Sequence, residues 1–291
     1  MSIVEKLANK IIPVSYRSII RLTGKDVRRL MQGISSNDFV HNKTTTFFST
    51  FLNPQGKLFS DSLVTIAEDN SILLDVPSAY VPNVMKLLQM SVLRLDVKLL
   101  WEKDSTVCAT LSTDNKPPKA EAILDPRFKA FQVYRTVSSE RIDNQSLTPL
   151  WKCFELLNGV WSTEDGLKNR HGGCVNLDLL NGASRTKGCY VGQENYTRYV
   201  NTYKQPNRVV PLLLSHSALP NSYSVKEACQ DLKADSILQD VHLSSSQALP
   251  VTQDGTEIGE VVFLQPHSSV ALAMINGFDG VKGRWKVNGF T

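Results

Sequence analysis

The chain has 291 residues, of which 42% are hydrophobic and 21% charged, and its 32 Lys and Arg against 28 Asp and Glu give a net charge of +4. That balance fits a soluble globular protein of one large or two to three small domains, and the interspersed signs of charge argue against a nucleic-acid-binding stripe. No apolar run reaches the roughly 18 residues of a membrane span, no secretory signal is present, and five cysteines without a C-x-x-C pair fit a reducing, intracellular compartment.

Residues 1–21 hold Lys6, Lys10, Arg17 and Arg21 with Glu5 as the only acid, which is compatible with the remnant of a basic amphipathic transit peptide. Composition favours the other reading of the stretch, an ordinary first helix with Ile3, Val4, Leu7 and Ile11 as its apolar stripe. A strand is predicted over 16–22, then a helix opening at Gly24-Lys25-Asp26 with Val27, Leu30 and Met31 at helical spacing. The Thr- and Phe-rich run 44–52 reads as a strand, Asn53-Pro54-Gln55-Gly56-Lys57 as a hairpin turn and 58–67 as the returning strand.

Further strands are predicted over 71–76, 92–101, 106–111 and 130–137, with a helix over 80–90 that faces inward through Val81, Val84, Leu87 and Leu88. A helix over 148–158 presents Leu150, Trp151, Phe154 and Leu157 on one face and ends at Gly159. The pattern is α+β. Short β-type runs at 209–214, 249–252, 257–263 and 270–275, with a hairpin signal at Asp254-Gly255, predict a separate small barrel or sandwich over 205–291. It is joined through Tyr203-Lys204-Gln205-Pro206, and residues 215–247 form a polar insertion.

From Gly166 to Gly192 inclusive there are six glycines and few helix or strand signals, and long irregular stretches of that kind in compact domains tend to carry function. The stretch ends in Lys187-Gly188-Cys189-Tyr190-Val191-Gly192-Gln193-Glu194, with Arg198 four residues on. Flanking glycines let the Cys189 thiol reach solvent, and Arg185, Lys187 and Arg198 favour the thiolate that attacks electrophiles and binds metals. A partly buried turn cysteine is the alternative reading, as free Cys is among the most buried residue types. Glu194 fits the first turn of a helix, where a carboxylate meets the positive end of the dipole. Cys174 and His171 are further candidates for the site, against a plain core thiol and a surface imidazole.

Gln32-Gly33-Ile34-Ser35-Ser36-Asn37-Asp38, the run from Phe51 to Asp61, Asn176-Leu177-Asp178 and the Lys187–Glu194 motif together resemble the YgfZ/glycine-cleavage-T-protein superfamily. The cysteine-bearing motif is similar to that of its YgfZ and mitochondrial iron–sulfur assembly branch. The resemblance implies a three-domain ring, with two interleaved α+β domains over 1–204 forming a folate-type cleft and a C-terminal β-barrel over 205–291.

It also implies an accessory factor for [4Fe–4S] cluster assembly in the mitochondrial matrix, monomeric alone and acting with A-type iron–sulfur carrier proteins. Cys189 would then be a cluster ligand shared with the carrier, since thiolates are the natural ligands of such centres. Lys187, Gly188, Tyr190, Gly192, Gln193, Glu194 and Arg198 would support it. The rival implication is a tetrahydrofolate-dependent aminomethyltransferase or demethylase with Asp61 near the folate. Against that, Leu157 stands where the T-protein has a pterin-holding glutamate. Trp161 and Ala183-Ser184-Arg185 also depart from the branch's usual residues.

Overall fold

The computed structural model describes residues 1–140, 142–202, 207–214, 224–238, 249–277, 285 and 287. In chain order its elements begin α1 (Ile3–Leu7), β1 (Ile12–Pro13), β2 (Arg17–Thr23), α2 (Val27–Ile34), β3 (Thr46–Leu52), β4 (Leu58–Ile66), β5 (Ile72–Pro77) and α3 (Val81–Val92). There follow β6 (Lys98–Glu102), β7 (Thr106–Ser112), β8 (Ile123–Leu124), β9 (Gln132–Ser138), α4 (Thr148–Leu157) and α5 (Gln193–Thr202). Past 207 come β10 (Arg208–Leu213), α6 (Val225–Asp231), α7 (Ala234–Ile237), β11 (Leu249–Gln253), β12 (Thr256–Leu264) and β13 (Val270–Ile275).

Strand alternation places two layers around the first sheet, whose order is β3-β4-β5-β2-β6. Phe47, Phe51, Val64 and Leu74 point to one face and pack under α2 and α3, where Val27, Met31, Val84 and Leu88 cover them. Ile19, Phe48, Leu52 and Leu58 point the other way into the largest core, shared with α1, α4 and β7. The hairpin turn forms as its residues dictate: Asn53 Oδ1 accepts from the N–H groups of Gln55 and Lys57, and Gly56 takes φ +73°.

The second sheet, β1-β7-β9-β8, is antiparallel, and its two shortest strands escape sequence reading because two residues show no periodicity. The first helix is only one turn long. It is closed by a Ser2/Glu5 capping box, and Ile3 and Leu7 are fully buried, so these residues belong to the folded core; Ile11 lies beyond it. The strand predicted over 92–101 is shorter, because α3 runs on to Val92 and Leu93 breaks it at φ +46°, leaving β6 only Lys98–Glu102.

α4 is the largest departure from the expected pattern. Its residues from Leu150 to Leu157 are all buried, including Lys152 and Glu155, so it is a central helix rather than an amphipathic surface one. It packs against β13, whose Val270, Leu272 and Met274 join the main core while Ala271, Ala273 and Ile275 face a small second one. In the C-terminal region the described strands form an open antiparallel sheet, β10-β13-β12-β11, with Asp254 and Gly255 both at positive φ in the β11–β12 turn. The 203–206 joint lies outside the described residues, as do 215–223 and 239–247 of the insertion, whose remainder holds α6 and α7. Among the described residues no helix is long and apolar enough to cross a membrane.

Since Trp151 is fully buried among Phe128, Phe154 and Arg135, Trp151→Ala is expected to cost about 3–5 kcal/mol in denaturant unfolding.

Candidate functional site

The irregular stretch before α5 is held by hydrogen bonds to three other parts of the chain. Leu58 N–H donates to Arg170 O at 2.8 Å and Gly172 N–H to Gly56 O at 2.9 Å, which fastens the stretch to the β3–β4 turn. Arg208 on β10 grips Asp178 with two bonds of 2.6 and 2.8 Å, and Val209 N–H reaches Cys174 O at 2.9 Å. The third anchor is the Gln32–Asp38 segment. Asn37 Nδ2 donates to Asn181 O at 2.7 Å, Ser36 Oγ donates to Gly182 O at 2.5 Å, Ser184 N–H donates to Ser36 O at 2.9 Å and Val191 N–H to Gly33 O at 3.2 Å.

Lys187 completes that anchor. Its ammonium is buried and donates to Ser35 O and Asn37 O, both at 2.8 Å, while lying over the Tyr190 ring at 4.9 Å. Desolvation lowers its pKa to about 8, with Asp38 opposing the shift only by charge. It therefore faces inward and fastens the loop, where its spacing in sequence suggests a charge beside the thiol. Tyr190 is buried too, and burial raises its phenol.

Cys189, between these two buried side chains, is exposed. The chain turns sharply after it: Gly192 sits at φ +82°, and a Cβ there would overlap the Asn53 carbonyl and the Leu52 side chain. α5 then starts at Gln193 with Glu194 in its first turn, as a dipole-facing carboxylate should be. Exposed Arg185, Val191 and Arg198 stand on the same short stretch, Arg198 bonding to Asn195 Oδ1. Gly188 has open space around it.

Cys174 and His171 are both gathered on Tyr199 of α5. The Cys174 thiol lies 3.0 Å from the Tyr199 hydroxyl and is pushed up by burial, and the His171 ring stacks on the Tyr199 ring at 4.1 Å with its pKa lowered by desolvation. Among the described residues no group of three or more His, Cys, Asp and Glu could hold a metal ion. Cys189 thus has no set of ligands around it within that part of the chain.

Asp61, the other candidate, is fully buried on β4. Its Oδ1 accepts from the N–H and Oγ1 of Thr163 at 2.6 Å each, and its Oδ2 accepts from Arg17 Nη1 at 2.6 Å. Burial alone would raise the carboxyl, but Arg17 and Thr163 outweigh it and hold Asp61 below the usual carboxylate value. The Arg17 fork also bonds Asp75 through Nε at 2.5 Å. Arg17, which counts among the basic charges of the N-terminal stretch in the sequence, is in the structure the hub of this buried network. Only its distant partners reveal that.

A polar cleft of about 820 Å³ opens beside Tyr16, Arg17, Lys103, Lys152 and Glu164. Burial pushes the Glu164 carboxyl up to about 7, against the pull of Lys152 and Arg17. Tetrahydrofolate does not fit the two positions that the resemblance assigns to it. The Asp61 carboxylate has no solvent-facing surface and is already held by three donors, and Leu157 is apolar and buried.

Fold and site together define a class. The structure is similar to the solved glycine cleavage system aminomethyltransferase T from Bartonella henselae, with a TM-score of 0.62 at 10% identity over 92% of this chain and 78% of that one. The fold is therefore the T-protein's, a mixed α/β fold with several sheets. Among curated proteins the chain is similar to "Iron-sulfur cluster assembly factor IBA57 homolog, mitochondrial" of Mycosarcoma maydis, at 29% identity over 246 residues that cover 75% of this chain and 60% of that protein.

The proteins of the same name from Dictyostelium discoideum and Debaryomyces hansenii are 24% and 35% identical, covering 78% and 54% of this chain and 68% and 32% of theirs. The chain thus spans roughly 60% of the Mycosarcoma maydis relative's length. No family model matches it. The curated relatives are iron–sulfur cluster assembly factors by name, as the resemblance in the sequence implies.

Removing the hub should be costly: Arg17→Met leaves Asp61 and Asp75 buried without their cation, and an unfolding loss of about 3–5 kcal/mol is expected in urea titrations. Glu164 gives a pH signature. Its folded pKa of about 7 lies above the ordinary glutamate value of 4.5, so the folded chain keeps a proton that the unfolded chain releases. Its contribution to stability is present below the unfolded value and is lost as pH rises toward 7. Glu164→Gln should therefore melt above wild type at pH above 7, and the difference should vanish in acid, as thermal unfolding across pH will show.

Proposed function

We propose that this protein is an accessory factor for iron–sulfur cluster assembly that engages a carrier protein through the face around Cys189. The observation that carries the reading is an exposed thiol on a loop fastened at three places, in a chain whose curated relatives are named as mitochondrial assembly factors. The mitochondrial location rests on those names, and the matrix is the compartment proposed. The cluster is cargo: Cys189 supplies one thiolate and the partner, an A-type carrier, supplies the others, since one cysteine cannot hold a cluster alone. Exposed Arg185, Arg198 and Val191 suit a partner face with acidic groups around an apolar contact.

Lys187, Gly188, Tyr190, Gly192, Gln193 and Glu194 serve by presenting the thiol, and [4Fe–4S] is the cluster type proposed. The arrangement proposed is the three-domain ring, with 1–204 as the cleft-forming part and 205–291 as the barrel-type part. The protein alone is proposed to be monomeric, and folate-dependent transfer is not adopted, because Asp61 is occupied by the chain's own side chains.

Reconstitution of the full chain with an A-type carrier, iron and sulfide tests the reading. Wild type should form a cluster-bearing complex, seen by its visible absorption during gel filtration, and Cys189→Ser should lose it while keeping its thermal stability. An unchanged complex with Cys189→Ser would remove Cys189 as a ligand.

A further inference from the structure

The two helices that cover the first sheet turn a basic outer face to solvent, with apolar tips at one end of it. Val81, Val84 and Leu88 point α3 inward, so Lys86, Met90 and, just past the helix end, Leu93 and Arg94 face outward. Met90 is 69% exposed and Leu93 87%. α2 buries Val27, Leu30 and Met31 and leaves Lys25, just before it, and Arg29 outside. Its start is tied to the turn that follows α3: Asp96 N–H donates to Asp26 Oδ2 at 2.9 Å, and Asp26 N–H donates to Asp96 O at 3.3 Å.

That turn is fixed, and it carries strain. Leu95 N–H donates to Val92 O at 2.8 Å, and Gly24 lies so close that a Cβ there would overlap the Asp96 carbonyl. Leu93 takes φ +46° and ψ −106°, backbone that suits glycine and costs a side-chain-bearing residue free energy. An apolar side chain held in strain and left in solvent gains nothing from the interior, so its contact is to be sought outside the chain. The charge around it has one dominant sign. Over 24–33 and 81–96 the cations Lys25, Arg28, Arg29, Lys86 and Arg94 outnumber the acids Asp26 and Asp96, and no acid lies between Asp75 and Asp96.

We propose that this face docks on an anionic phospholipid surface, with Met90 and Leu93 entering the headgroup layer and Lys25, Arg29, Lys86 and Arg94 meeting lipid phosphates. Apolar tips among cations are the combination that interfacial binding uses, since apolar burial and attraction to anionic lipid add. Two tips are a small anchor for a protein partner, which covers about 800 Å² a side, whereas headgroups conform to whatever shape is offered. The thiol stretch bonds Gly33 O at the other end of α2, about 12 Å away for eight residues of helix, so docking at the Leu93 end leaves Cys189 free. Nothing in the proposal depends on Cys189 or a carrier.

Cosedimentation of the full chain with vesicles of equal parts phosphatidylglycerol and phosphatidylcholine, against phosphatidylcholine alone, tests it. Saturable binding to the anionic vesicles is expected, at least about tenfold weaker on the neutral ones and in roughly 0.5 M salt. Lys86→Gln and Arg94→Gln should each weaken it about fivefold. Leu93→Gly should weaken it about tenfold while the melting temperature holds or rises, because glycine accepts this backbone; a side chain with only a structural role would give the reverse. The proposal is overturned by absence of binding to the anionic vesicles, by equal binding to the neutral ones, or by wild-type binding in all three variants. A dimer in gel filtration that Leu93→Gly dissolves would also overturn it, by giving the face to a second copy of the chain.

Discussion

The guanidinium of Arg17 is the contact on which the rest of the structure depends. From β2 it bonds Asp61 on β4, Asp75 on β5 and, at 3.3 Å, Ser162 in the turn after α4. A planar fork of fixed donors can satisfy that many acceptors at once, and once the acceptors are buried none can be released cheaply. The network consequently fixes how the first sheet sits against α4. Thr163, which bonds Asp61, lies two residues before Asp165, and Asp165 takes Lys152 at 2.7 Å, so the same few residues neutralise the ammonium buried on α4.

A second chain of charge runs parallel to it. Arg127 and Arg135 share Asp125, Arg135 passes on to Glu155, and Glu155 accepts from the Tyr16 hydroxyl, next to Arg17 in sequence. Two ionic chains therefore meet at residues 16 and 17 and join both sheets to the central helix. Buried ions of this kind add little net stability over an apolar core, but any wrong arrangement strands a charge, which favours a single arrangement of the layers. The cost falls on function: an Asp61 committed to Arg17 and Thr163 is a structural anion.

The thiol loop solves a related problem with hydrogen bonds. A stretch without helix or strand must satisfy its backbone elsewhere, and here it does so on the β3–β4 turn, on β10 and on the Gln32–Asp38 segment. Lys187 is the most committed of these anchors, a buried cation that two carbonyls hold in place of a carboxylate. What remains free to face solvent on this rigid support is Cys189 with its exposed neighbours.

Much of this was legible in the chain. Apolar spacing marked β2, α2, the β3–β4 hairpin and α3, turn residues marked Asn53–Lys57 and Asp254-Gly255, and the glycine-framed motif marked Cys189, because these signals depend on near neighbours. The buried face of α4 was underestimated, since Lys152 and Glu155 look like solvent-facing charges until Asp165 and Arg135 stand opposite them. Arg17 and Lys187 were legible only as positive charge.

The sequence by itself determined the local elements and the residue that offers chemistry, because backbone periodicity, turn propensity and a thiol between glycines are properties of a few consecutive residues. Only the tertiary structure decided which charges are buried and which are presented. Arg17 meets partners 44, 58 and 145 residues away, and Lys187 meets carbonyls 150 and 152 residues away. Whether a charge is solvated or committed depends on what folding brings beside it, and that is a property of the three-dimensional packing.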